Sequence, residues 1–338
     1  MFNQYPTLID IAALDAGIGS PVVNEAIIQF EELKRFPIVR MKGTSIKLTV
    51  RDESPRSRFR DANEGTPRVA AKFKTRLFDT AFIDHQVAID IAVLYSSEDV
   101  ARTLEEESVP HMESVMANIA RQIWYGKGIN DPKGFVGLGE QYAADSMHEI
   151  NLGQTEDTTS VWFVNLGPKR LQLVFGEPAL SQRDWRNETA LDPKGNPYDA
   201  LTSSITGRVG LKLENKHTAM RIKGIGNQEL IKGGLNDYTE GGLSDRPLFT
   251  ILKMFSEVNG VRPNAIFMNP RSLEQLRASR VPVNATGDPV PLPDRFAGIP
   301  IFETINIING EEKLEGGNQP IDEEKPKGAQ LKKGAINA

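Results

Sequence analysis

The clearest hydrophobic pattern of this chain lies between residues 75 and 126. Residues 75–94 are rich in valine, isoleucine and phenylalanine and lack glycine and proline, which predicts one long strand. Across residues 110–125 apolar positions recur every three or four residues, which predicts an amphipathic helix that ends at Gly126. A shorter acidic helix over residues 98–107, with Ser97 as its N-cap, is predicted before it. A strand leading into a long helix is therefore the central feature.

A basic stretch rich in proline and arginine precedes this strand. Alternating residues flank an irregular segment, so residues 46–76 are predicted to form a long β-hairpin with an irregular tip. From Lys47 to Arg76 there are nine Lys/Arg and four Asp/Glu, a net charge of +5. A two-stranded hairpin is only marginally stable alone. It therefore needs a surface to lie on, either in its own domain or in a neighbouring subunit.

The opposite charge is close by in the sequence. From Glu98 to Glu113 there are six acidic residues and one basic residue, a net charge of −5. Two interpretations remain open: each charged run is a solvated face, or the hairpin of one copy lies across the acidic helix of another. The second interpretation predicts an inter-subunit contact made by Arg56, Arg58, Phe59, Arg60, Glu98, Asp99, Glu105, Glu106 and Glu107.

The remaining elements do not alternate regularly between strand and helix, so the predicted class is α+β rather than a doubly wound parallel sheet. Residues 1–20 are predicted to be an extended arm, and the chain after Gly310 a poorly packed tail. Helices are expected over residues 21–36, 247–258 and 270–279, the last with Asn269 as N-cap. Strands are expected over residues 38–50, 160–164, 171–175, 203–213, 218–225, 264–268 and 298–308, and a proline-rich loop over 281–296.

Composition narrows the class of protein. A chain of 338 residues is long enough for about two domains. A net charge of −5 argues against binding nucleic acid over the whole surface. The absence of cysteine excludes disulfides, thiolate metal sites and cysteine nucleophiles. The N-terminus lacks a signal-peptide pattern, and no apolar run of about 18 residues is present. We therefore expect a soluble protein that is made in the cytoplasm.

No catalytic constellation emerges from the sequence. The four histidines show no metal-ligand spacing, and neither a GxSxG elbow nor a GxxxxGK[ST] loop is present. Gly224 and Gly226 lack the third glycine of a dinucleotide site and predict a turn. Asp237, Glu240 and Asp245 lie in a glycine-rich loop but lack the spacing of a calcium loop. We therefore expect no cofactor, no metal site and no enzymatic activity.

The order of the elements resembles that of the major capsid proteins of tailed bacteriophages, which have the Hong Kong 97 fold. The resemblance covers roughly residues 20–310. It rests on an N-terminal helix, a basic hairpin carrying Phe59-Arg60-Asp-Ala-Asn63-Glu-Gly65, a strand over residues 74–94, and a long helix ending Ile123-Trp124-Tyr125-Gly126. Asn130-Asp-Pro-Lys-Gly-Phe135-Val-Gly-Leu138 follows that helix, as a similar segment does in one branch of the family. The stretches 159–167 and 175–176, residues 211–222 and the closing strand over 299–308 also fit.

This resemblance implies an N-terminal arm (1–37), an extended loop (40–76), a peripheral domain with a spine helix (77–128 and 298–312), an axial domain (129–297) and a C-terminal tail (313–338). It further implies hexamers and pentamers that close into an icosahedral shell around packaged phage DNA. Scaffolding protein, portal and a decoration protein are the implied partners. The implied location is the virion, with assembly in the host cytoplasm.

Three alternatives remain open at the level of the sequence. An encapsulin-type compartment protein shares the fold, and its contents would distinguish it from a capsid. An α+β hydrolase or carbohydrate-active domain is disfavoured because no His/Asp/Glu cluster is evident. A viral tail or adhesion protein would form tubes or fibres instead of closed shells.

Overall fold

The computed structural model describes residues 26–53, 57–70, 72–142, 146–177, 180–192, 194–215, 217–226, 242–259, 262–280 and 291–311. Within these residues the chain forms two six-stranded sheets, one two-stranded hairpin and helices packed on the sheets. The mixture confirms the predicted α+β class. The predicted extended arm and most of the predicted tail lie outside the described residues.

The first sheet is built around an unusually long strand. Its strands are β1 (Ile38–Arg40), β4 (Ala81–Asp90), β7 (Leu171–Phe175), β8 (Ser181–Gln182), β9 (Arg186–Leu191) and β10 (Pro197–Leu213). The order is β1-β7-β10-β4, and β8 and β9 also pair with β10. β10 pairs antiparallel with all of β4, from Ala200 opposite Asp90 to Val209 opposite Ala81. This long pairing fixes β4 in the body of the molecule.

The strands of the second sheet are β5 (Glu149–Asn151), β6 (Thr159–Val164), β11 (Ala219–Ile225), β12 (Ala265–Met268), β13 (Arg295–Phe296) and β14 (Ile299–Glu303). Their order is β13-β14-β12-β6-β11-β5. Every residue of β6 and β12 is buried. Such continuous burial explains the apolar runs over residues 161–164 and 265–268.

The predicted single strand over residues 75–94 is wrong in its extent. β3 (Lys72–Asp79) pairs with β2 (Ser45–Glu53) to form the hairpin, whereas β4 belongs to the first sheet. Thr80 separates them, and both its N–H and its hydroxyl donate to the Thr44 carbonyl, at 2.9 and 3.0 Å. Helix α2 (Ile91–Tyr95) then follows β4 directly. The sequence pattern of residues 75–94 does not reveal this break, because side chains alternate in the same way whichever strand is the pairing partner.

The two predicted helices form one. Helix α3 (Val100–Tyr125) is 26 residues long, about 39 Å, and Pro110 lies inside it. Its N-cap is Asp99, whose side chain accepts a hydrogen bond from the Arg102 N–H, and not Ser97. Proline removes one helical hydrogen bond. Helix α3 nevertheless continues, because the residues after Pro110 are held by extensive burial from Met112 onward.

Other boundaries also differ from the predictions. The helix predicted over residues 21–36 is interrupted where it is described: a 3-10 turn (Ile27–Gln29) and α1 (Glu31–Arg35) flank an extended Phe30. The strand predicted over residues 38–50 divides into β1 and β2, and β14 is shorter than predicted. Helix α4 (Leu138–Tyr142) and a 3-10 turn (Ser146–His148) were not predicted. Helices α5 (Asp245–Asn259) and α6 (Pro270–Ala278) match their predictions, and Asn269 caps α6.

Two apolar cores lie on the opposite faces of the second sheet. One core joins α3 and α1 to the first sheet and to one face of the second, and the other packs α5 and α6 against the opposite face of the second sheet. Trp124 lies in the first of these cores, with its ring centroid 5.2 Å from Phe267 and 6.0 Å from both Trp162 and Phe36. The rings of Trp124, Trp162 and Phe267 are essentially inaccessible to solvent. Helix α3 is therefore anchored at one end, while its acidic N-terminal turns remain exposed.

Candidate assembly surface

The basic hairpin projects with both faces accessible. β2 and β3 pair from Ser45 opposite Asp79 to Glu53 opposite Lys72, with one irregularity after Arg51. Phe73 and Leu77 each keep about 60% of their surface exposed on this hairpin. Exposed apolar side chains on a two-stranded sheet are accessible to another molecule. The predicted hairpin over residues 46–76 is thus present.

The hairpin tip is organised by two of the predicted contact residues. Arg58 donates to the Glu64 carboxylate at 3.3 Å and to the Gly65 carbonyl at 2.7 Å. Arg60 donates to the Glu64 carbonyl at 2.9 Å. These bonds leave Phe59 between them fully exposed. Arg56 lies outside the described residues, and the contact of this tip with another subunit stays a prediction.

The acidic surface lies on the first turns of α3 and on the two residues before it. Glu98, Asp99, Glu105, Glu106 and Glu107 are all exposed. Asp99 is used as the N-cap, and Glu106 accepts a hydrogen bond from Arg102 at 2.7 Å. Negative side chains near a helix N-terminus are favoured by the helix dipole. This acidic surface is therefore stable within one chain and remains available to a positively charged partner.

The segment after α3 is fixed by Gln122. Its side chain donates to the Phe135 carbonyl at 2.7 Å and accepts from Asn130 at 2.7 Å. Glycines allow this close approach, since a Cβ on Gly137 would lie 2.4 Å from both the Gln122 carbonyl and the Gly126 nitrogen. Gly126 itself ends α3 with a φ of 76°. The glycine pattern that resembles the capsid family thus has a physical reason in backbone packing.

The Gly137→Ala variant should therefore be less stable than the natural protein by about 1–3 kcal/mol, because the methyl group forces two backbone segments apart. Gly128→Ala is the matched control: nothing lies within 4 Å of its Cβ position, so its stability should be near that of the natural protein. Urea unfolding of the two variants measures the difference. Equal midpoints for both variants would contradict this account of the close packing.

All four histidines occur in pairs, which the sequence did not indicate. The Nε2 atom of His85 on β4 lies 2.7 Å from Nδ1 of His111 on α3, and Nε2 of His148 lies 2.7 Å from Nδ1 of His217. At such a distance one nitrogen donates and the other accepts, so two imidazolium rings are incompatible with this geometry. Burial and then the neighbouring His111 lower the pKa of His85, and Asp84 opposes them.

Because the folded pKa of His85 is depressed, the unfolded chain binds more protons as the pH falls below about 6.5. The free energy of unfolding should therefore decrease as the pH falls through that range. At higher pH, where the His85 imidazole is neutral in both the folded and the unfolded chain, no stability is lost through this residue. The His85→Gln variant should show a shallower decrease between pH 7 and pH 5. Urea unfolding at several pH values measures both slopes, and identical slopes would exclude His85 as a source.

A buried charged cluster ties the end of the described chain to the second sheet. The Glu311 carboxylate accepts from Tyr125 at 2.8 Å, Ser160 at 2.5 Å and Arg221 at 2.7 Å. Burial raises the pKa of Tyr125 well above its usual value, and the Glu311 carboxylate adds to the effect. Glu311 is 2% exposed, so the prediction of a poorly packed chain from Gly310 onward is wrong at this residue.

Other chemistry is limited within the described part of the chain. No group of three or more His, Cys, Asp or Glu side chains there is arranged to hold a metal ion. No described helix is long and apolar enough to cross a membrane. Of the acidic loop residues, Asp237 and Glu240 lie outside the described ranges, and Asp245 pairs with Arg280 at 2.8 Å.

A long helix between two sheets, with a hairpin projecting from the first, is a Hong Kong 97-like phage capsid fold. One solved structure, of bacteriophage Epsilon15, aligns with a TM-score of 0.56 and 15% identity over 80% of this chain and 86% of that one. A chain of the bacteriophage JBD30 capsid aligns with a TM-score of 0.51 and 9% identity over 89% of this chain and 99% of that one. At these identities the likeness concerns the fold alone.

The family follows from the sequence. The model of the family described as Major capsid protein GP7 matches residues 36–314, and the chain belongs to this family. It is a capsid shell protein, a structural protein of the bacteriophage head. None of the curated proteins matches its sequence.

Proposed function

We propose that this capsid protein assembles into hexamers and pentamers that close into an icosahedral shell around packaged phage DNA. The observation that carries the proposal is the exposed hairpin, whose charge of +5 between Lys47 and Arg76 matches the −5 of residues 98–113. In the assembled shell the hairpin of one subunit lies across the acidic surface of α3 in its neighbour. Each exposed ion pair contributes only about 0–1 kcal/mol, but the contact recurs at every subunit.

The proposed parts of the subunit are an N-terminal arm (1–37), an extended loop (40–76), a peripheral domain (77–128 and 298–312), an axial domain (129–297) and a C-terminal tail (313–338). We propose that assembly occurs in the host cytoplasm with scaffolding protein and portal, and that a decoration protein binds the finished shell. The role is structural, without catalysis.

Negative-stain electron microscopy and light scattering of the protein produced with phage scaffold and portal test this function. Closed particles of uniform diameter are expected, and nuclease-protected DNA in native particles distinguishes a phage capsid from a compartment that holds protein cargo. A protein that stays monomeric with scaffold and portal present would overturn the proposal.

A further inference from the structure

A cavity of about 340 Å³ lies at the base of the hairpin. The junction of β3 and β4 forms one wall, and the segment after α3 forms the other. Its apolar lining includes Leu77, Phe78 and Val136, and its positive charges come from Arg76, Lys127 and Lys133. Asp79 is the acidic residue of the lining, so the net charge is +2. A cavity whose lining is partly apolar and carries net positive charge suits an apolar group with negative charge beside it.

The cavity is preformed and its charges are available. Gln122 and the close glycine contacts hold the segment that carries Lys133 and Val136. Lys127 and Lys133 are exposed, and neither ammonium group belongs to an ion pair between described residues. Glu140 lies nearby and accepts the Lys127 backbone N–H at 3.0 Å. Little reorganisation is needed before a group enters, which favours tight binding.

A group of matching chemistry protrudes before α3. Tyr95, at the end of α2, is 81% exposed, and Val93 is exposed beside it. Glu98 and Asp99 follow, both exposed. The turn is well ordered, because Asp90 caps α2 and the Ser97 hydroxyl donates to the Leu94 carbonyl at 2.6 Å. An aromatic knob with two carboxylates behind it complements the cavity in shape and in charge.

Tyr95 cannot fill the cavity of its own chain. β4 begins at the cavity with Ala81 and ends at Asp90, where α2 starts, so about 33 Å of strand separates the cavity from the knob. A Tyr95 side chain that occupies the cavity must therefore come from a second copy. Such a contact joins different patches of two subunits head to tail, which is the kind of contact that closes rings.

We propose that Tyr95 of one subunit inserts into the hairpin-base cavity of the next, with Glu98 and Asp99 facing Lys127 and Lys133. This inference rests on the proposed function and specifies how its hairpin contact is aligned. β3 extends about 26 Å from the cavity, and the helix from Val100 to Glu113 extends about 20 Å. With Tyr95 of one subunit held at the base of the neighbouring subunit's hairpin, that hairpin runs along the acidic first turns of α3 of the first subunit. The hairpin tip then lies beside those turns.

Cross-linking tests the contact directly, since the chain contains no cysteine that would interfere. Shells of the Ser96→Cys/Val136→Cys variant, which keeps the Tyr95 side chain and places a thiol beside it on an exposed residue, should give a ladder of covalent multimers after treatment with a short bis-maleimide and separation on a denaturing gel. The two single variants and the pair Ser96→Cys/Leu191→Cys are controls, because Leu191 is exposed outside the cavity. Intact shells with no multimers beyond those controls would overturn the inference.

Substitution of the knob provides the second measurement. Tyr95→Ser should leave the subunit folded, because the side chain is exposed, and should lower the shell-forming association constant at least about tenfold. Tyr95→Phe should assemble like the natural protein. Lys133→Glu should impair assembly, and Glu98→Lys in the same chain should restore it. If Tyr95→Ser forms shells with the same association constant as the natural protein, this inference fails while the proposed function stands. If the natural protein forms no shells with scaffold and portal present, the proposed function itself fails.

Discussion

The Arg56→Glu/Arg58→Glu/Arg60→Glu variant should form no shells and should remain a folded subunit. Reversing three charges changes the attraction between the hairpin tip and the acidic surface of α3 into repulsion, and like charges across an interface oppose association strongly. The described bonds of Arg58 and Arg60 lie within the tip itself, so the body of the subunit should unfold at its usual temperature. Electron microscopy and circular dichroism together measure both outcomes.

Two controls separate charge from local shape. Arg56→Lys/Arg58→Lys/Arg60→Lys keeps the positive charges and should still assemble. Glu105→Lys/Glu106→Lys/Glu107→Lys should block assembly alone and restore it when combined with the arginine reversal. Normal shells from the triple-glutamate variant would exclude these arginines as the contact.

The Glu311→Ala variant should lower the free energy of unfolding by about 3–5 kcal/mol, because it leaves the positive charge of buried Arg221 without its closest carboxylate. The hydrogen bonds from Tyr125 and Ser160 to the same carboxylate are lost with it. Guanidinium unfolding of the isolated subunit measures the change.

The double variant Glu311→Leu/Arg221→Met should recover much of that loss, since replacing both partners of a buried ion pair by apolar groups is often close to neutral. A Glu311→Ala variant as stable as the natural protein would mean that this carboxylate does not hold the end of the described chain in place. Glu64→Ala removes an exposed carboxylate of the hairpin tip and serves as the matched control, with an expected change under about 1 kcal/mol.

The sequence predicted correctly those elements that are determined by residues close together in the chain. The stripe of α3 after Pro110, the hairpin over residues 46–76 and the Asn269 cap each depend on neighbouring residues, and each is present. The break at Thr80 was missed because it depends on which strand pairs with which, and alternation does not record that. The fusion of the two helices through Pro110 was missed because tertiary burial outweighed the local cost of proline.

The candidate site shows the same division. The charges of the hairpin and of the acidic helix can be counted in the sequence, but the bonds of Arg58 and Arg60 to Glu64 depend on how the tip folds. The histidine pairs and the Arg221–Glu311 cluster join residues 26 to 186 positions apart. With no regular spacing between the partners, a single sequence carries no signal for them.

The change of sheet at Thr80 has a consequence for geometry on a curved surface. Thr80 and residues 42–44 connect the two ends of the hairpin to the body and belong to neither ladder, so rotations at these two connections swing β2 and β3 as one arm while the pairing of β4 with β10 stays intact. A closed polyhedron made from one kind of subunit places that subunit at corners and on flatter facets, which have different local curvature. Two such short connections would let identical chains meet both curvatures without any change inside their cores.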